Sequence, residues 1–198
     1  MPIVVARTRT PFAQAAFPGL IQEAFEAENM QLQGLQRMML AVLVALETGR
    51  GSSMYNNNVG NISASPNYAG MVWRPPWFDP AEAAGNPRNE ALHREMLAGR
   101  APSAFRAYEG IQDGARDFAR VVAKNFPEVL AASLVPNADT FRAALARKYS
   151  PDYANPAATK SIAKLMSEYG ITPGGAAGGT GVLMMLALAW LGWRLLKR

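Results

Sequence analysis

Nine consecutive apolar positions, "MMLAVLVAL" at 38–46, leave no polar face and predict a helix enclosed by the rest of its domain. The pattern extends this helix over about 30–48, where Gly49 and Gly51 stop it. Ahead of it, an extended arm interrupted by Pro11 and Pro18 leads into a shorter helix over roughly 20–28. Beyond Gly51 the texture changes to Asn, Gly, Ser, Pro and aromatic residues, which predicts short irregular strands and loops, then a polar helix over about 87–97. Helical periodicity returns afterwards in three apolar stripes: Ile111, Ala115, Phe118, Ala119 and Val122; Phe141, Ala144 and Leu145; Ile162, Leu165, Met166 and Tyr169. The pattern as a whole is that of an α-rich α+β domain with an irregular lobe inserted after its buried helix.

The last segment has another character. "GITPGGAAGGTG" is a glycine-rich linker, and "VLMMLALAWLGWRLLKR" follows it. Residues 174–193 carry no charge, and at about 1.5 Å per residue a helix of that length matches a hydrocarbon core of about 30 Å. Trp190, Trp193, Arg194, Lys197 and Arg198 form an aromatic and basic end of the kind found at membrane interfaces. The expected division is an arm and short helix at 1–28, a main domain at 29–170, a linker at 171–180 and a transmembrane helix at 181–198.

Composition narrows the chemistry. The 198 residues suffice for one domain with a core plus an appendage. A formal charge of +5 draws three of its positive charges from Arg194, Lys197 and Arg198, so the body is only mildly basic. No Lys/Arg run or RNA-type aromatic motif points to nucleic acid, and none is expected as a partner. The absence of cysteine removes disulfides and thiolate chemistry, and the single histidine, His93, lies in the charged helical pattern "RNEALHREML", where a solvated role is expected. No metal and no cofactor is expected.

The candidate chemistry sits at the end of the apolar helix. Glu47 falls on the flank shared by Leu40 and Leu43, at the helix end where unpaired carbonyls carry partial negative charge. Desolvation and that dipole both disfavour the ionised carboxylate and raise its pKa, as a general acid requires. On position alone a second reading stays open, in which Glu47 turns outward and pairs with Arg50. The glycine-bounded turn and the loop "YNNNVGN" that follow would place amides and asparagines beside the acid, suiting a ligand rich in hydroxyl and amide groups.

These residues carry a resemblance. "ALETGRG", 45–51, is similar to the acid-bearing signature of the bacterial peptidoglycan N-acetylglucosaminidases, the family of the flagellar-rod hydrolase and many autolysins. "NNNVGNI", 56–62, resembles the loop that follows in that family, with Asn61 as one extra residue, and "FRAYEGIQDGARDFARVV", 105–122, looks like its strand-to-helix segment. The resemblance implies a lysozyme-like fold, cleavage of the glycan backbone after N-acetylglucosamine, and Glu47 as proton donor. The family's second acidic residue lies in a β-hairpin of the small lobe. Here Asp79, Glu82, Glu90 and Glu95 occupy the lobe without a clear hairpin. In "YSPDYANPAATK" Tyr153 aligns with the first tyrosine of a later family motif, and Ala158 or Thr159 falls where the second belongs.

For substrate contact the candidates are Tyr55, Asn57, Asn58, Tyr68, Trp73, Tyr108 and Tyr153. Aromatic rings stack on sugar faces, but such rings also close small lobes, and asparagines also serve as turn residues. The expected partners are peptidoglycan glycan strands, a lipid membrane through the C-terminal helix, and other virion or envelope proteins. The basic end would stay cytoplasmic and put the domain on the wall side, or the protein would travel in a virus particle. The competing functional reading is a non-catalytic wall-binding or structural protein of the same fold.

Overall fold

The computed structural model describes residues 1–172; the expected linker, from 173 on, and the expected membrane helix lie outside the described residues. Among the described residues no helix is long and apolar enough to cross a membrane.

Among the described residues the chain is mostly helical, with one small sheet. In order it forms β1 (Ile3–Val4), α1 (Phe17–Ala27), α2 (Gly34–Glu47), β2 (Met71–Trp73), α3 (Pro80–Ala83), α4 (Pro87–Leu97), β3 (Phe105–Arg106), α5 (Ile111–Asn125), α6 (Pro127–Ala132), α7 (Ala138–Lys148) and α8 (Ala157–Glu168), with a 3-10 turn at Pro151–Ala154. The apolar run explains the centre: Met38 through Ala45 on α2 are all buried. The run is enclosed because α1 and α8 both pack on α2, and α1 also packs on α5. The predicted stripes supply the surrounding faces: Ala115, Phe118, Ala119 and Val122 on α5, Phe141, Ala144 and Leu145 on α7, and Ile162, Leu165 and Met166 on α8 are buried.

Helix ends differ from the sequence reading by a few residues. Helix α1 starts at Phe17 instead of Leu20, because Pro18 occupies the first turn, where its missing N–H costs nothing. Helix α2 starts at Gly34 rather than Met30, where Gln33 and Gln36 form a reciprocal capping box.

The N-terminal arm is part of the lobe. Strand β1 pairs in parallel with β2, Ile3 opposite Met71, and β2 pairs antiparallel with β3, Trp73 opposite Phe105. Farther along, Thr10 N–H donates to the Met54 carbonyl at 2.8 Å, and the arm thereby runs beside the loop that follows the acid. Inside the lobe Trp73 stacks on Phe105 at 5.0 Å between centroids and tilts against Tyr55 at 5.4 Å, while Trp77 meets Phe105 edge-on.

Candidate active site

Glu47 is the last residue of α2, and the sequence after it explains why the helix stops there. Gly49, Arg50 and Gly51 all have positive φ, at 54°, 59° and 82°. Gly51 is required twice over, because a Cβ there would lie 1.9 Å from the Phe12 carbonyl oxygen. Thr48, fully buried, pins the turn: its hydroxyl donates to the Val44 carbonyl at 2.6 Å and accepts from Gly51 N–H at 3.1 Å.

The Glu47 carboxyl is partly buried and does not pair with Arg50. Arg50 turns away and forms an ion pair with Glu168 on α8 at 3.0 Å. Glu47 instead accepts a hydrogen bond from the Tyr153 hydroxyl on Oε1 at 2.6 Å. Burial pushes its pKa up to about 7; the Tyr153 bond opposes the rise, the negative charge of Asp152 adds to it, and the Asn61 amide opposes it again. Asn61 also donates to the backbone carbonyl of Glu47, which ties the loop to the helix end.

A ladder of rings backs the acid. Tyr153 is buried and meets Tyr149 edge-on, Tyr149 tilts against Phe126, and the Tyr149 hydroxyl donates to the Gly60 carbonyl at 2.8 Å. Burial raises the pKa of both phenols, and the charge of Glu47 adds to it, so both stay hydrogen-bond donors across the ordinary pH range. Sequence reasoning singled out Tyr153 but missed Tyr149, Asn61 and Asp152. The signal for Tyr149 was its place four residues before Tyr153 in "YSPDY".

The other sequence candidates lie in three groups. Asn57 and Asn58 spend their amides on backbone. The Asn57 amide donates to the Tyr108 and Glu109 carbonyls; Asn58, fully buried, donates to Ile62 and Arg106 carbonyls and accepts from Ile62 N–H. Three asparagines in this loop, Asn56, Asn57 and Asn61, have positive φ, a conformation their short polar side chain tolerates. Trp73 is 4% exposed, so its ring is packed between neighbours instead of offering a face to a sugar, and its indole N–H is buried with no partner. Tyr55 packs on Trp73 while Arg7 approaches its ring. Tyr68 and Tyr108 belong to a separate cluster: Arg106 pairs with Asp117 at 2.7 Å and lies over the Tyr68 ring, and the Tyr108 hydroxyl donates to Asp117 at 2.5 Å. Of the seven, Tyr153 alone is bonded to the Glu47 carboxyl. Among the described residues no group of three His, Asp or Glu side chains gathers where a metal ion would bind.

Compared with protein-family models, curated proteins and solved structures, the chain matches none. The functional reading therefore rests on the residues themselves.

Proposed function

We propose that the chain is a glycoside hydrolase that cleaves the peptidoglycan backbone after N-acetylglucosamine, within a lysozyme-like domain held at a membrane or in a virion. The observation that carries this reading is a single partly buried carboxyl at the end of the buried helix α2, held on one oxygen by the Tyr153 hydroxyl at 2.6 Å, where burial pushes its pKa up to about 7. With Tyr153 on Oε1, the acid proton belongs on Oε2. Glu47 passes that proton to the glycosidic oxygen as the bond to the anomeric carbon breaks, and water or the substrate's own acetamido oxygen attacks that carbon. Asp152, close enough to act on the charge of Glu47, is the neighbouring carboxylate.

Purified sacculi provide the test. Wild type is expected to release reducing ends, and Glu47→Gln, which keeps shape but cannot deliver the proton, to lose at least about a hundredfold in rate. Wild-type protein that binds sacculi and releases no reducing ends would replace this reading with that of a wall-binding or structural protein.

A further inference from the structure

We infer that Arg142 is a positioning residue of the Glu47 site: from α7 its guanidinium holds the exit of the turn at Pro151–Ala154, and so keeps the Tyr153 hydroxyl on the acid. The inference rests on the reading of Glu47 as proton donor. Tyr153 is carried by a single 3-10 turn, not by a helix with its own ladder of hydrogen bonds, and the last carbonyls of such a turn have no partner within it. The entry is closed locally, where the Ser150 hydroxyl accepts from Asp152 N–H at 3.3 Å. The exit is closed from outside: Arg142 donates through one terminal nitrogen to the carbonyl of Tyr153 at 3.0 Å and reaches that of Ala154 at 3.5 Å.

Several observations mark Arg142 as more than a surface cation. Its side chain is 21% exposed, and its Nε is buried with no hydrogen-bond partner. Asp139, one turn earlier on α7, lies 3.9 Å from that Nε and accepts from the Thr159 hydroxyl of α8 at 2.8 Å. The guanidinium is thus set between α7 and the turn, with Asp139 linking it to α8. A charged donor on a neutral carbonyl is among the stronger hydrogen bonds available. The same residue, Tyr153, offers its carbonyl to Arg142 and its hydroxyl to Glu47, so the two contacts are joined through one residue with a planar ring.

The test is a mutant cycle in the full chain, read by NMR titration of the Glu47 carboxyl. Tyr153→Phe removes a hydrogen bond that favours the ionised form, and is expected to raise the Glu47 pKa by about one pH unit, a tenfold change in its acid constant. Arg142→Met is expected to raise it similarly, and the double variant no further than Tyr153→Phe alone; that lack of additivity separates lost placement of Tyr153 from simple loss of a positive charge. If Arg142→Met does not fold, Arg142→Lys, which reaches one carbonyl at most, is expected to give a smaller rise. A wild-type titration of Glu47 in the Arg142 variants, or an equal effect of Tyr153→Phe with and without Arg142, would overturn the inference. Because the titration needs no substrate, a chain that hydrolyses nothing yet shows the coupling keeps the role of Arg142 and loses the hydrolase reading. An active chain without the coupling does the reverse.

Discussion

At the scale of one residue, the rise in the Glu47 pKa is also a statement about stability. Between its ordinary value of 4.5 and about 7 the folded chain holds a proton that the unfolded chain releases. Folding is therefore favoured by low pH in that window, and the stability falls as pH rises through it; above pH 7 the full cost of burying the charge applies. The shift corresponds to about 3 kcal/mol. Glu47→Gln removes the titration, so its stability should match wild type near pH 4.5 and exceed it by up to about 3 kcal/mol at pH 8, read as melting temperature against pH. Activity should carry the same signature, with hydrolysis of sacculi falling about tenfold per pH unit above 7 as the proton donor is lost. A Gln variant no more stable at pH 8 than wild type would mean that the carboxyl is solvated.

Helices and loops set the next scale, and the contact of α5 with the asparagine loop shows how closely they fit. A Cβ on Gly114 would stand 1.8 Å from the Asn57 carbonyl oxygen, so only glycine lets the loop's backbone lie on the helix. Gly114→Ala must push α5 and the loop apart, at a cost of roughly 1–3 kcal/mol in denaturant unfolding. Gly19→Ala on α1 meets nothing within 4 Å and should stabilise by roughly 0.5–1 kcal/mol, because it restores helix propensity without a clash. The α2 core and the stripes of α5, α7 and α8 were legible because burial imposes a period on the residues that face inward. Glu47 was legible because a carboxyl among leucines breaks that period. What was illegible was the direction of polar side chains. An asparagine that donates to backbone carbonyls, as Asn57 does to Tyr108 and Asn58 to Ile62, reads the same as one that awaits a ligand. The bond from Tyr153 to Glu47 spans 106 residues, and β1 has only two, too short to carry a period. Both are set by tertiary packing alone.

At the scale of the molecule, the buried apolar side chains among the described residues fall into two bodies of unequal strength. The core around α2 gathers side chains from α1, α5, α6, α7 and α8 and from Met54, Val59 and Ile62 of the loop after the acid, whereas Val72, Trp73, Ala83, Ala104 and Ala107 are buried outside it, in the lobe. The sheet there has strands of two, three and two residues, and one edge is the N-terminal arm, held by Ile3 N–H to the Gly70 carbonyl at 3.2 Å and Val5 N–H to the Val72 carbonyl at 2.9 Å. Few buried contacts and short ladders define a unit that opens below the global free energy. Amide exchange should therefore be slowest in 38–46 of α2 and markedly faster in 70–73. Deleting residues 1–5 takes away an edge strand with exposed side chains, Ile3 at 63% and Val4 at 54%, so it should speed exchange at 70–73 while leaving α2 at its wild-type rate. The acid is fixed to the core by α2 and touched from the far side by Asn61, whose neighbours Asn58 and Ile62 bond to each other and, across to β3, to Arg106. Asn61 lies between Val59 and Ile62, both buried in the α2 core, so opening at 70–73 should leave Asn61 and Tyr153 on the acid, and oligomers containing N-acetylglucosamine should slow exchange across 51–64 if they bind over Glu47. Equal exchange rates in 70–73 and in α2 would show that lobe and core open as one cooperative body.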